Sequence, residues 1–122
     1  MLSKTKDAYN VDAIAQLIGA TALDDTHAAA QTWEAVRASR SQLSQELTAL
    51  GFECQASQAN FLLAAVPLGD RRPSAESVYR ALMTKNVYVR WFDEDRLRDK
   101  LRISIGTPDE NAQLIHALRL IV

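Results

Sequence analysis

Arg90 and Arg102 are the residues of this chain best suited to chemistry. Each sits in a short stretch of period-two alternation, Val87-Tyr88-Val89-Arg90 and Leu101-Arg102-Ile103-Ser104-Ile105. That pattern predicts two strands. Val87 and Val89 face one way, Tyr88 and Arg90 the other. Leu101, Ile103 and Ile105 form one face of the second strand, and Arg102 and Ser104 the opposite one. Eleven residues separate the arginines. Antiparallel pairing across that loop would bring both to one sheet face. Two guanidinium forks held side by side repel unless an anion lies between them, and they match carboxylate or phosphate geometry. A second reading stays open: Asp93, Glu94, Asp95 and Asp99 in the intervening loop serve only to neutralise them.

The rest of the chain has to position those strands. Its 122 residues suit one domain, long enough to bury roughly two-thirds of its unfolded surface. The composition is 48% apolar and 24% charged, which is ordinary for a globular protein. A net charge of −1 offers no basic field, so nucleic acid is not an expected partner. No apolar run reaches membrane-span length, and no membrane partner is expected. Cys54 is the only cysteine, so an internal disulfide is excluded, and a reducing, cytoplasmic setting fits. Its place in a strand, without a neighbouring base, predicts a buried inert thiol. His27 and His116 lie far apart with no ligand partners and read as surface residues, so no metal site is expected.

Asn10 is a candidate N-cap for a first helix carrying Val11, Ile14, Ala15, Ile18 and Ala22. Asp24 or Asp25 would cap a second, longer helix with Trp33, Val36, Leu43, Leu47 and Leu50 inward, ended by Gly51. Phe52–Cys54 and Asn60–Val66 read as strands. Ser74 caps a third helix with Val78, Ala81 and Leu82 inward. Thr107-Pro108-Asp109-Glu110 opens a fourth, with a cap, proline at the first helical position and acids in the first turn. The order α-α-β-β-α-β-β-α predicts an α+β fold, a small mixed or antiparallel sheet of three or four strands with helices on one face. Val11, Ile14, Leu17, Ile18 and Leu23 wrap too far around the first helix for one buried stripe. The chain is therefore expected to self-associate through them.

Four segments in order, Lys6–Asp12, Ser57–Leu62, Val87–Arg90 and Leu101–Asn111, resemble the C-terminal part of histidinol-phosphate aminotransferases. These are pyridoxal-phosphate enzymes of fold type I. The resemblance covers nearly the whole chain and implies that residues 1–122 are a single C-terminal small domain, with the large cofactor-binding domain absent. It implies a homodimeric parent enzyme that moves an amino group between histidinol phosphate, a phosphorylated amino substrate, and 2-oxoglutarate. Arg102 matches the family's arginine for the substrate carboxylate. Arg90 matches the one that joins it on the phosphate, which is the anion-clamp reading of the pair. Asn60 matches a residue at the start of a strand bordering the site. There a buried amide would orient substrate or arginine, or satisfy backbone groups. Tyr9 and Asn10 match a stretch near the domain junction and dimer contact, or serve as a packing aromatic and a helix cap. Trp91-Phe92 would form either an aromatic lip beside the anion site or packing into the core.

The family's Ser-x-Ser-Lys segment has no match at Ser3-Lys4-Thr5-Lys6. No catalytic residue is therefore expected here, nor pyridoxal phosphate bound to this chain alone. Two other readings fit: the small domain of a related enzyme such as threonine-phosphate decarboxylase, and a non-catalytic α+β ligand-binding module.

Overall fold

The computed structural model of the chain describes residues 10–24, 26–67, 69 and 72–122. Eight elements follow the expected order: α1 (Ala13–Asp24), α2 (Thr26–Ala49), β1 (Glu53–Cys54), β2 (Phe61–Ala65), α3 (Ala75–Thr84), β3 (Arg90–Trp91), β4 (Lys100–Ser104) and α4 (Pro108–Arg119). The chain divides into two compact units, residues 1–33 and 34–122, with the boundary falling within α2. Among the described residues, no helix is long and apolar enough to cross a membrane.

In the first unit, α1 starts two residues later than Asn10 would cap it. Asp12 is the cap, its Oδ1 accepting the Ala15 N–H at 2.9 Å. A carboxylate one residue before the helix outcompetes an amide set further back. Asp25, the other proposed cap for α2, lies outside the described residues. No residue of α1 is buried: Ile14, Leu17, Ile18 and Leu23 are 62–78% exposed, and Val11, just before the helix, is exposed as well. Trp33, expected to face inward, is also exposed.

The second unit is built on a fully antiparallel sheet of order β1-β2-β4-β3. Leu62 and Ala64 of β2 and Leu101 and Ile103 of β4 turn to one face and are buried. They meet Leu43 and Leu47 of α2, Val78 and Leu82 of α3, and Leu114 and Leu118 of α4 in one core. Period-two strands and period-3.6 helices thus bury one side each. Helix ends fix how these layers join. Gly51 takes φ +90°, and the N–H groups of Gly51 and Phe52 return to the carbonyls of Thr48 and Leu47 at 2.9 and 3.0 Å. This is a Schellman closure with buried Phe52 and Leu47 as its apolar contact. Ser74 caps α3 as expected, through the Ser77 N–H.

Val87–Val89 do not form the expected strand, and β3 is confined to Arg90–Trp91. The cause lies at the end of α3. Asn86 adopts the left-handed conformation, φ 58°, and the Val87 N–H bonds back to the Leu82 carbonyl at 3.0 Å. A donor spent on closing the helix is lost to the sheet ladder.

Candidate functional site

The sheet's second face, away from the helices' core, carries Phe61, Leu63, Lys100, Arg102 and Arg90 by the same alternation. Arg90 and Arg102 are direct cross-strand partners in the β3–β4 register. Side chains so paired stand with Cβ atoms about 5 Å apart, and like charges there disfavour each other. Tyr88, two residues before Arg90 and outside β3, and Ser104, two residues after Arg102, flank the pair. With Val89 and the two arginines they line an open cavity of about 130 Å³. The sequence pattern already aligned Tyr88 with Arg90 and Ser104 with Arg102, and that alignment was the signal for two further site residues.

The loop acids do not neutralise this pair. Asp93 and Asp95 bind Arg98, at 2.7 and 3.5 Å, and Asp99 binds Lys100 Nζ at 2.6 Å. The Lys100 hydrogen bond holds the Asp99 carboxyl below its ordinary pKa. Among the described residues, no carboxylate lies within 4.0 Å of Arg90 or Arg102. Each arginine instead lies against an aromatic ring. The Arg102 guanidinium carbon is 4.5 Å from the Phe61 centroid, and that of Arg90 is 5.1 Å from the Phe92 centroid. Such cation–π contacts contribute roughly 0.5–1 kcal/mol when exposed and more when desolvated. Among the described residues, the Arg102 Nε is enclosed without a hydrogen-bond partner.

Trp91 and Phe92 therefore part company. Trp91 pairs with Leu101 on the core side and stacks on Tyr79 of α3, with centroids 6.4 Å apart. Its Nε1–H donates to the Arg98 carbonyl at 2.9 Å, tying down the acidic loop. Trp91 is thus core packing and not a lip, and of the two only Phe92 lies against an arginine, Arg90.

Asn60 is exposed, contrary to the expected buried amide. Its backbone carbonyl accepts the Ile105 N–H at 2.8 Å, extending the β2–β4 ladder by one pair. Asn10 is also exposed, and Tyr9 lies outside the described residues. Cys54 is half-buried, and burial pushes its thiol pKa up against opposing hydrogen bonds from Ser44 and Thr48, which suits an unreactive thiol. His27 and His116 are exposed.

The run from Gly106 to Asn111 fixes the end of β4. Thr107 and Glu110 form a capping box, with Thr107 N–H donating to Glu110 Oε2 at 2.8 Å and Glu110 N–H to Thr107 Oγ1 at 3.3 Å. Asn111 brackets Gly106, accepting its N–H and donating to its carbonyl, both at 3.1 Å. A Cβ at Gly106 would lie 2.9 Å from Glu110 Cβ, so the close approach requires glycine. This motif is a structural clip that closes the turn from the end of β4 into α4.

A two-layer α+β unit that presents paired arginines on its open sheet face fits a class of enzyme domain. The sequence profile of the aminotransferase class I and II family matches residues 1–118, and the chain belongs to that family. It is 43% identical over 118 residues to histidinol-phosphate aminotransferase 1 of a Nostoc species, and 38% identical over 117 residues to the histidinol-phosphate aminotransferase of a Synechocystis species. Those alignments take in 97% and 96% of this chain and 32% of each relative, so the chain spans about a third of the length of these curated relatives. The fold is that of the crystal structure of histidinol-phosphate aminotransferase from Clostridium acetobutylicum, with a TM-score of 0.80 and 20% identity over 95% of this chain and 35% of that one. A decarboxylase from Sulfurospirillum multivorans shares it at a TM-score of 0.74 and 20% identity, over 99% of this chain and 35% of the other.

Proposed function

We infer that this chain is the C-terminal small domain of a histidinol-phosphate aminotransferase, and that Arg90 and Arg102 are its substrate-anion site. One observation carries the reading: two arginines are direct cross-strand partners on an open face, and the nearby acids serve other cations. Transamination between histidinol phosphate and 2-oxoglutarate requires one site to accept a phosphate in one half-reaction and a carboxylate in the other. A pair of guanidinium forks suits both, because each anion presents paired oxygens. Tyr88 and Ser104 add hydroxyl donors at the rim of the same cavity. Asn60 borders the site through its backbone and contributes by holding the start of β2 against β4.

Pyridoxal phosphate is the cofactor the family implies for the whole enzyme. The lysines among the described residues do not fit the role of its covalent anchor. Lys100 Nζ is engaged by Asp99 and the Arg96 carbonyl, and Lys85 is an exposed C-cap of α3. The part assigned to this chain is therefore binding and orientation of the substrate anion, with the covalent chemistry supplied by a large domain of the parent. The exposed apolar side of α1 is assigned to contact with that large domain or a second subunit, as a homodimeric parent requires.

Calorimetric titration of the chain with inorganic phosphate tests the reading. One phosphate per chain is expected, with binding lost in Arg102→Ala and strongly weakened in Arg90→Ala. Arg102→Lys keeps the charge but loses the bidentate fork, at a cost of about tenfold in affinity. Unchanged binding in both alanine variants would locate the anion elsewhere.

A further inference from the structure

We propose that Phe61 is the positioning residue of the anion site, its ring being the platform that fixes the Arg102 guanidinium. The proposal rests on the anion-site reading above and adds a residue to it. Phe61 pairs with Ser104 and Arg102 with Leu63, so Phe61 and Arg102 are diagonal neighbours on one face. Diagonal pairs of this kind are within reach of aromatic and long side chains. The guanidinium carbon stands 4.5 Å from the ring centroid. Arg102 is half-buried, and its Nε is enclosed without a hydrogen-bond partner among the described residues. Among the described residues no carboxylate orients the fork, and the ring is the group that does so. A ring on one side of a guanidinium limits its swing, and the terminal nitrogens are the donors left for an anion because Nε is enclosed. Arg90 has a looser counterpart: it is exposed, and its ring lies 5.1 Å away.

The platform is itself held. The Phe61 carbonyl accepts the Ser57 hydroxyl at 2.7 Å, and Ser57 Oγ accepts the Ala59 N–H at 3.1 Å. Arg40 of α2 donates from Nη1 to the Ala59 carbonyl at 2.9 Å. With the Asn60 carbonyl on Ile105, these bonds fasten successive residues of the turn that leads into the ring. The Ser57-Gln58-Ala59-Asn60-Phe61 segment thus acts on the site through its backbone and its last side chain.

The test compares wild type, Phe61→Leu and Phe61→Tyr in the 122-residue chain, by titrating inorganic phosphate and following arginine Nε–Hε NMR signals. The Arg102 signal is identified by its loss in Arg102→Lys. In wild type that signal should be displaced by the ring current of Phe61 and should respond to phosphate. Phe61→Leu should abolish the displacement and weaken phosphate binding roughly threefold to tenfold, the size of one cation–π contact. Phe61→Tyr should restore both to within about twofold, which general damage to the fold would not allow. Unaltered affinity in Phe61→Leu overturns the role of Phe61 and leaves the anion site standing. Should Phe61→Leu fail to fold, an Arg102 signal without ring-current displacement in wild type overturns the proposal by itself. Phosphate that moves neither the Arg90 nor the Arg102 signal in wild type overturns the anion-site reading, and the proposal with it.

Discussion

The two faces of the sheet are made from the same strands, yet they are held by different forces. On the helix side, Leu62, Ala64, Leu101 and Ile103 are almost wholly removed from water. Close packing there gives each methylene a cost on removal. On the other side, Arg90 and Arg102 face each other with no acid of the described residues paired to either, and rings rather than carboxylates lie against them. That arrangement gives up pairing energy to keep two cations available. Apolar burial is concentrated on one face and cationic side chains on the other, and alternation along β4 separates them residue by residue.

Truncation should expose this difference most strongly. Leu101→Ala opens a cavity among fully buried neighbours and should cost about 2–5 kcal/mol of unfolding free energy. Leu63→Ala, on the half-exposed face, should cost less than half as much in chemical denaturation. Equal losses would erase the distinction between the faces.

A smaller effect is expected at the clip that ends β4. Thr107→Ala removes the capping hydroxyl of α4 and should cost about 1 kcal/mol. The same box is pH-sensitive. The Thr107 backbone N–H, and then its hydroxyl, hold the Glu110 carboxyl below its ordinary pKa. A carboxyl depressed in the folded state contributes stability that is present above the unfolded pKa and lost as pH falls through the folded one. Glu110→Gln should therefore flatten the acid limb of the stability curve, as read from melting temperatures at successive pH values. A limb unchanged in slope would remove Glu110 from that dependence.

The smallest effect on folding is expected in the first unit. The helices α1 and α4 each have twelve residues, but α4 buries Leu114, Ile115, Ala117 and Leu118 while α1 buries none. Ile14→Glu should change folding stability by about 0.5 kcal/mol or less, as at an exposed position. It should nevertheless reduce self-association measured by light scattering over a concentration series. An unfolded variant would show that Ile14 is internal to the fold in solution.

Much of this arrangement was legible in the sequence because it is local. The caps at Ser74 and Thr107 and the stop at Gly51 follow from side-chain chemistry within a few residues. The shared face of Arg90 and Arg102 follows from period-two alternation and a short connection. The parts that were not legible depend on competition or on register. Asp12 took the cap from Asn10 by position, and Val87 was claimed by the end of α3 before it could join a strand. Asn60 sits one residue outside β2, where its backbone is used and its side chain is exposed. Phe61 reaches Arg102 only because β2 pairs with β4 in one particular register, which pairs residues some forty positions apart.

The central claim, that Arg90 and Arg102 form one anion site, is tested most directly by the stability of Arg90→Gln relative to wild type in two buffers. Without a binding anion, removing one of two facing cations relieves repulsion, and the variant should be at least as stable as wild type. At a phosphate concentration ten to a hundred times the dissociation constant, wild type should gain roughly 1.4–2.7 kcal/mol by mass action and the variant much less, which reverses the order. The same stability difference in both buffers would contradict the account.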